Sequence, residues 1–229
     1  MAALLGARDP AQPLLTLLQG PARVELSGST TANWVAKTAN LLVDGHDAPR
    51  RVGICLPLHW QSVCLLLGAA ATGATVVVAS TAAELGGCQV CFTTPAGADG
   101  ALRAGADDVL VMSGHPMGAP VAGLPAAVLD VAREIPGYGD HFSPAGPPGG
   151  FEVAGRPVTA TGSGLTGTDR VLTVLGLTGG LEVLLAALTA GAALVLVPDP
   201  AGLDLVAVVA AEQVTAVAGL DLAGLPRLA

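Results

Sequence analysis

The sequence predicts an α/β protein with mostly parallel sheets and flanking helices, arranged in two packed halves. Short apolar runs alternate with helix-like segments along the chain. Within the runs, apolar residues do not alternate with polar ones, which is typical of strands covered on both faces. The clearest unit spans residues 51–79, where a Val-rich run follows a helix that Gly73 ends. This order predicts a βαβ unit whose two strands are parallel.

The elements of the first half follow in order from the N-terminus. Residues 10–23 predict a short helix around four leucines, and residues 24–26 an edge strand. Hydroxyl residues at 27–31 are suited to cap a helix that runs through Leu41. After the βαβ unit, apolar runs at 90–94 and 108–113 continue the alternation of strands and connections.

The second half repeats the same alternation after a segment rich in Pro and Gly. Strands are predicted at 170–175, 193–198 and 214–218, and helices at 180–190 and 203–212. We therefore expect residues 1–142 to form the first half and residues 169–229 the second. Residues 143–168 are the expected linker, with a Gly, Ser and Thr-rich loop at its end.

Composition excludes two classes of partner. The net charge is −8 and Lys37 is the only lysine, so a cationic surface for nucleic acid is not expected. The mean hydropathy of +0.64 is high, but Gly73 and Gly191 interrupt the longest uncharged stretches. These interruptions predict buried α/β segments and no membrane span. The N-terminus lacks the basic leader of a signal peptide, which favours a cytoplasmic protein.

The four cysteines do not predict a secreted disulfide scaffold. Cys55 and Cys64 lie in apolar segments, where a free cysteine acts as a small hydrophobic residue. Cys88 and Cys91 have the spacing of a redox or metal pair. No second cysteine pair and no neighbouring histidine accompanies them. Their absence favours a structural role for the two cysteines.

Asp140 and His141 are the best candidates for acid–base catalysis, because a neighbouring carboxylate can orient an imidazole. Tyr138 is close in sequence. No nucleophile is evident beside them, and a histidine in a turn is the alternative interpretation. No metal-ligand spacing is recognised, so no metal site is predicted.

A second candidate site is the Gly, Ser and Thr-rich loop before the second half. Backbone N–H groups and hydroxyls in such a loop can bind a phosphate. The candidate phosphate-binding residues are Thr161, Gly162, Ser163, Gly164, Thr166 and Gly167. The loop has no lysine and is followed by a strand where a phosphate loop would lead into a helix, so a flexible connection is the alternative.

The order of several segments resembles the start of adenylate-forming enzymes, the group that includes acyl-CoA synthetases, luciferases and peptide-synthetase adenylation domains. The segments that carry the resemblance lie in both halves: 24–27, 39–42, 51–57, 59–60, 68–77, 168–172, 188–198, 214–215 and 219. More closely, the chain resembles a small actinobacterial family related to a truncated N-terminal part of those enzymes. The resemblance implies their N-terminal fold, and ATP or AMP with magnesium as the cofactor.

The departures from the family pattern shape the functional expectation. The Pro-Lys that should follow the phosphate loop is absent, and residues 161–167 abut Asp169 and Arg170, which is the wrong register. The resemblance also implies that the family's later Tyr-Gly-x-Thr-Glu segment, ribose-binding aspartate and C-terminal lid with its lysine are missing. Adenylation needs positive groups on the phosphates.

The leading hypothesis is therefore a degenerate acyl-CoA synthetase-like protein that binds a nucleotide or acyl ligand without complete catalysis. A small enzyme that uses Asp140 and His141 on such a ligand is the second hypothesis. The third is a protein-interaction module that completes its site or buries apolar surface in a homo-oligomer.

Overall fold

A computed structural model describes residues 9–160 and 164–228 of the chain. It divides into two compact units, each built on one sheet. Among the described residues, the six-stranded unit comprises residues 9–31, 58–60, 159–160 and 164–228. The seven-stranded unit comprises residues 32–57 and 61–158.

The strands and helices alternate along the described chain. In chain order the strands are β1 Pro13–Gln19, β2 Ala22–Ser27, β3 Arg51–Cys55, β4 Thr75–Val78, β5 Val90–Thr93, β6 Asp108–Val111, β7 Val128–Asp130, β8 Phe151–Val153, β9 Arg156–Val158, β10 Arg170–Thr173, β11 Ala193–Leu196, β12 Ala216–Ala218 and β13 Arg227–Leu228. The helices are α1 Gly28–Asn40, α2 Trp60–Ala71, α3 Ala98–Arg103, α4 Val131–Glu134, α5 Leu177–Ala190 and α6 Leu205–Ala211. This alternation, with mostly parallel pairing, confirms the predicted fold class.

The six-stranded sheet has the order β13-β12-β10-β11-β1-β2. All neighbouring pairs are parallel except β1 and β2, which form an antiparallel hairpin. The predicted helix over residues 10–23 is therefore wrong. A short leucine run fits helical spacing and a buried strand equally well. Gly20, at φ 57°, makes the turn that folds β2 back onto β1.

The seven-stranded sheet has the order β7-β6-β5-β3-β4-β8-β9, and only β9 runs antiparallel to its neighbour. The predicted βαβ unit is confirmed as β3, α2 and β4, with Ile54 opposite Val78 in parallel register. Gly73, at φ 91°, follows α2 at the predicted position. Every residue of α2 is buried, which explains its lack of a polar face.

The units do not follow the predicted halves. The N-terminal hairpin of β1 and β2 belongs to the six-stranded sheet, because Leu15 of β1 pairs with Leu194 of β11. The predicted linker contributes β8 and β9 to the seven-stranded sheet. Its preceding Gly residues pack against the end of α2, where the Gly149 N–H donates to the Ala70 carbonyl at 2.8 Å.

The longest apolar helices are α5 with 14 residues and α2 with 12. A membrane crossing takes about 20 residues in a helix. Within the described ranges, no helix combines the length and apolar character that a crossing needs.

Candidate functional site

Ligands of parallel α/β sheets bind beyond the carboxyl ends of the strands. In the six-stranded unit, this edge lies after Thr173, Leu196 and Ala218, the last residues of β10, β11 and β12. Helix α5 begins after β10 behind Gly176, which provides no side-chain cap. Gly219 has φ 81°, and a Cβ there would lie 2.7 Å from the Leu175 side chain. The loops at this edge therefore approach each other closely.

The candidate phosphate loop lies at the opposite edge of that sheet. Thr161, Gly162 and Ser163 fall outside the described residues, whereas Gly164, Thr166 and Gly167 are described and exposed. They precede Arg170, the first residue of β10, and so stand at the amino end of a parallel strand. The Gly, Ser and Thr content of the loop is visible in the sequence. Its position at the amino end of the strands follows from the pairing of β10, which the sequence does not show.

Thr166 of this loop donates two hydrogen bonds to a carboxylate. The backbone N–H and the hydroxyl of Thr166 each donate to Asp169 Oδ2 at 2.8 Å. The Thr215 hydroxyl donates to Asp169 Oδ1 at 2.9 Å. These hydrogen bonds, with that from the Thr166 N–H the strongest, hold the pKa of Asp169 below its ordinary value. A phosphate would have to share these donors with a negative charge.

The arginines of the six-stranded unit are bound to carboxylates as well. Arg23 Nε donates to Glu212 Oε1 at 2.7 Å, and an Arg170 guanidinium nitrogen lies 2.6 Å from Glu212 Oε2. Arg170 also donates to the hydroxyl of buried Thr16 at 2.8 Å. Glu212 is 7% exposed, and the hydrogen bonds from Arg23 and then Arg170 hold its pKa below the ordinary value.

The remaining arginine completes this picture. Arg227 forms a pair with Asp221 at 2.9 Å. Arg23, Arg170 and Arg227 are the arginines in the described part of the six-stranded unit, and no lysine lies there. Each of them therefore has a carboxylate partner, and none of these described cations is uncommitted.

Asp140 and His141 lie in an exposed loop of the seven-stranded unit. The structure brings His141 to Ser143, whose Oγ is 3.2 Å from Nε2 of the imidazole. Asn40 Nδ2 donates to the carbonyls of Gly139 and His141 at 2.8 and 2.9 Å. The Lys37 ammonium donates to the Tyr138 carbonyl. Helix α1 thus fixes the backbone of this loop.

Ser143 is a residue that sequence reasoning missed. The His-Phe-Ser spacing at 141–143 was the available signal, but an i, i+2 pair meets only in particular loop conformations. The structure therefore supplies a hydroxyl beside His141 that could act as a nucleophile if the imidazole accepts its proton.

The carboxyl edge of the seven-stranded unit carries further polar residues. The loop after β6 covers Gln61, since a Cβ on Gly118 would lie 2.7 Å from Gln61 Nε2. Asp130, at the end of β7, accepts from the N–H groups of Val121 at 2.8 Å and Ala132 at 2.9 Å. Gln61 and Asp130 are both buried. Their spacing in sequence gave no indication that they lie at one edge.

No metal site emerges from the described ranges, where no three His, Cys, Asp or Glu side chains cluster suitably for an ion.

Comparison with known proteins identifies relatives of two kinds. No protein-family profile matches the chain. A "TIGR03089 family protein" of Mycobacterium tuberculosis is 39% identical over 227 residues, which cover 91% of this chain and 92% of that protein. The sequence similarity therefore extends over nearly the whole of both proteins.

Solved structures show the same fold at low identity. An acyl-CoA synthetase of Brucella canis superposes with a TM-score of 0.73 at 17% identity, over 92% of this chain and 45% of the other. The N-terminal domain of FACL13 from Mycobacterium tuberculosis gives 0.67 at 17%, over 92% and 59%. MatB from Rhodopseudomonas palustris gives 0.68 at 16%, over 95% and 48%. The chain thus spans about half the length of the structures it matches.

Proposed function

This chain belongs to the TIGR03089 family and has the fold of acyl-CoA synthetase N-terminal domains, and from that premise we propose that it binds a small acyl-type or nucleotide ligand without completing adenylation. The fold supports the ligand class, since its solved neighbours include acyl-CoA synthetases. The incompleteness is supported by the charges in the six-stranded unit. Self-association and a cytoplasmic location belong to the same proposal.

The main support for this proposal is that the arginines of the six-stranded unit are paired with carboxylates. Adenylation places the three phosphates of ATP in the site and releases two of them as pyrophosphate, and their negative charge must be met by cations. Arg23, Arg170 and Arg227 already neutralise carboxylates, and Thr166 donates to Asp169. Magnesium ATP, the cofactor that the resemblance implies, therefore does not fit these residues. Binding of AMP requires less positive charge in the site than binding of ATP. Binding of an uncharged acyl chain requires none.

Calorimetric titration with AMP, magnesium ATP and a medium-chain fatty acid tests the proposal. We expect saturable heat with AMP or the fatty acid, and affinity for ATP no higher than for AMP, because the extra phosphates meet no uncommitted arginine among the described residues of the six-stranded unit. ATP–pyrophosphate exchange should not exceed the background measured without acid. Exchange that depends on a carboxylic acid would overturn the proposal. Absence of heat at millimolar concentration of all three would leave a protein partner as the third hypothesis.

The variant Asp169→Asn tests the charge argument directly. Removing the carboxylate charge weakens its hold on the Thr166 N–H and on the Thr166 and Thr215 hydroxyls. We therefore expect the variant to bind inorganic phosphate or AMP several-fold more tightly than the wild type. Asp199→Asn is the matched control, because Asp199 is exposed and bonds only locally, to the N–H of Ala201. Equal changes in both variants would contradict the argument.

A second candidate function is hydrolysis of an acyl ester or thioester by Ser143 and His141. The distance of 3.2 Å between Ser143 Oγ and His141 Nε2 favours it. The hydroxyl would attack the acyl carbon while the imidazole accepts its proton, and the imidazolium would then protonate the departing alcohol or thiol. Water would hydrolyse the resulting acyl-serine. Both residues are exposed, so water competes at the site. Asp140, next to His141 in sequence, remains a candidate residue of this site, although the described contacts include no hydrogen bond from its carboxylate to the imidazole.

Hydrolysis of a p-nitrophenyl acyl ester measures this activity. If the candidate is right, Ser143→Ala and His141→Asn each lower kcat/KM at least about 100-fold, the lower range for a general base. Asp140→Asn should have a smaller effect, since no hydrogen bond joins its carboxylate to His141 among the described contacts. Hydrolysis that is unchanged in the first two variants would rule the candidate out.

A further inference from the structure

Two cysteines share one small space on a face of the seven-stranded sheet. Cys91 lies on β5 opposite Gly53 on β3, where the glycine leaves room above the strand. A Cβ on Gly53 would lie 3.1 Å from Cys91 Sγ and 3.3 Å from Cys88 Cβ. Cys88 and Cys91 both belong to one buried apolar cluster. The pair is therefore assembled in the fold and is not merely close in sequence.

The surroundings give the two thiols different chemistry. The neighbouring Cys91 thiol lowers the pKa of Cys88, and the nearby charge of Arg51 acts in the same direction. The neighbouring Cys88 thiol, together with burial, raises the pKa of Cys91. Burial in α2 also raises the pKa of Cys64. Cys88 is thus favoured as the thiolate, with Cys91 holding the proton beside it.

The chain around Cys88 offers a route for reagents. Cys88 is 1% exposed, but Gly86, Gly87 and Gln89 around it are exposed. A Cβ on Gly86 or Gly87 would meet no atom within 4 Å, so the space beside these two glycines is open. Gln89 is held by backbone hydrogen bonds to Arg51 and Asp107. Local opening limited to residues 86–88 would bring Cys88 to solvent while β5 stays paired.

We propose that Cys88 and Cys91 are a redox-active dithiol that low-molecular-weight disulfides convert to an intramolecular disulfide. The Cys88 thiolate attacks one sulfur of the reagent and forms a mixed disulfide, and the first reagent thiolate leaves. Cys91 then gives up its proton and attacks the Cys88 sulfur, which expels the second thiolate. The protein loses two electrons and two protons, and the reagent disulfide becomes two thiols. This chemistry does not depend on the ligand proposed above.

Mass spectrometry of the whole folded protein tests the proposal. The protein is equilibrated with oxidised glutathione near neutral pH, quenched with acid, unfolded and alkylated. We expect the peptide with Cys88 and Cys91 to be lighter by two hydrogens and unalkylated, while Cys55 and Cys64 are alkylated. Dithiothreitol should restore alkylation at all four cysteines. Circular dichroism of the same sample must show that the fold is retained.

Variants identify the order of attack. Cys91→Ser should stop at a glutathione adduct on Cys88, whereas Cys88→Ser should prevent both products under the same conditions. Cys64→Ser is the matched control and should form the Cys88–Cys91 disulfide as the wild type does. The proposal is overturned if the folded wild-type protein keeps four alkylatable thiols under conditions in which the urea-unfolded protein forms the disulfide. Because this comparison uses the wild type, misfolding of a variant would not obscure it.

Discussion

At the scale of single residues, Glu212 links three parts of the six-stranded unit. It binds Arg23 of β2 and Arg170 of β10 from its position just after α6. Replacing it with glutamine leaves Arg170, whose side chain is 15% exposed, with only the longer ion pair to Glu25 at 3.6 Å. We expect Glu212→Gln to lower the free energy of unfolding by about 2–3 kcal/mol, the range for hydrogen bonds to charged groups. Urea unfolding followed by circular dichroism measures this.

Glu25 offers the matched control for that substitution. It also binds Arg23, but its side chain is 32% exposed. Glu25→Gln should therefore cost less than about 1 kcal/mol, as for an exposed ion pair. An equal loss in both variants would show that burial of Glu212 does not set its contribution.

The lowered pKa values of Glu212 and Asp169 predict a dependence of stability on pH. A carboxyl whose pKa is depressed by folding binds its proton more readily in the unfolded chain. Its contribution is complete above the ordinary carboxyl range of about 4 to 4.5 and is lost as the pH falls through the folded value below it. The free energy of unfolding of the wild type should therefore decrease as the pH falls below about 5. Urea unfolding at several pH values measures it. Glu212→Gln should show a shallower loss, and a parallel curve would contradict the assignment.

At the scale of elements, the predicted linker shows a close packing contact. A Cβ on Gly149 would lie 1.8 Å from the Ala74 carbonyl oxygen, and backbone cannot move aside as a flexible side chain can. Gly149→Ala should therefore destabilise the protein by about 1–3 kcal/mol, the cost of overpacking, or more. Gly146 lies in the same segment, and a Cβ there would meet no atom within 4 Å. Gly146→Ala should be nearly neutral, and equal thermal midpoints for the two variants would refute the contact.

The elements also show which predictions local pattern can support. The apolar run of β4 could be assigned to a strand from sequence, because Gly73 and a long helix-like segment precede it. Strand β1 could not, since its leucines lack a distinguishing period and its partner β11 lies far along the chain. For the candidate sites, sequence identified His141 but not Ser143, because their contact depends on the loop that Lys37 and Asn40 hold.

At the scale of the whole molecule, sequence predicted parallel α/β architecture but not which strands share a sheet. Pairing between Leu15 and Leu194 is set by the burial of both strands and has no local signal. This interleaving makes a prediction for fragments. Residues 32–158 contain the complete seven-stranded sheet, whereas residues 169–229 lack β1 and β2 of the other sheet.

The 32–158 fragment should therefore unfold cooperatively on heating, and the 169–229 fragment should not, as followed by circular dichroism. Mixing the second fragment with a peptide of residues 9–31 should restore part of the missing structure, because the peptide supplies the hairpin. A sharp transition in the 169–229 fragment alone would show that β1 and β2 are dispensable.

The parallel pairing of β1 with β11 also has a consequence for synthesis on the ribosome. Leu15 emerges about 180 residues before its partner Leu194, and at roughly 5–20 residues per second that interval is about 10 to 35 seconds. Throughout it β1 can pair with β2 but not with β11, while the sheet of residues 32–158 can already form. The free edge of the N-terminal hairpin would therefore be available to chaperones during that interval.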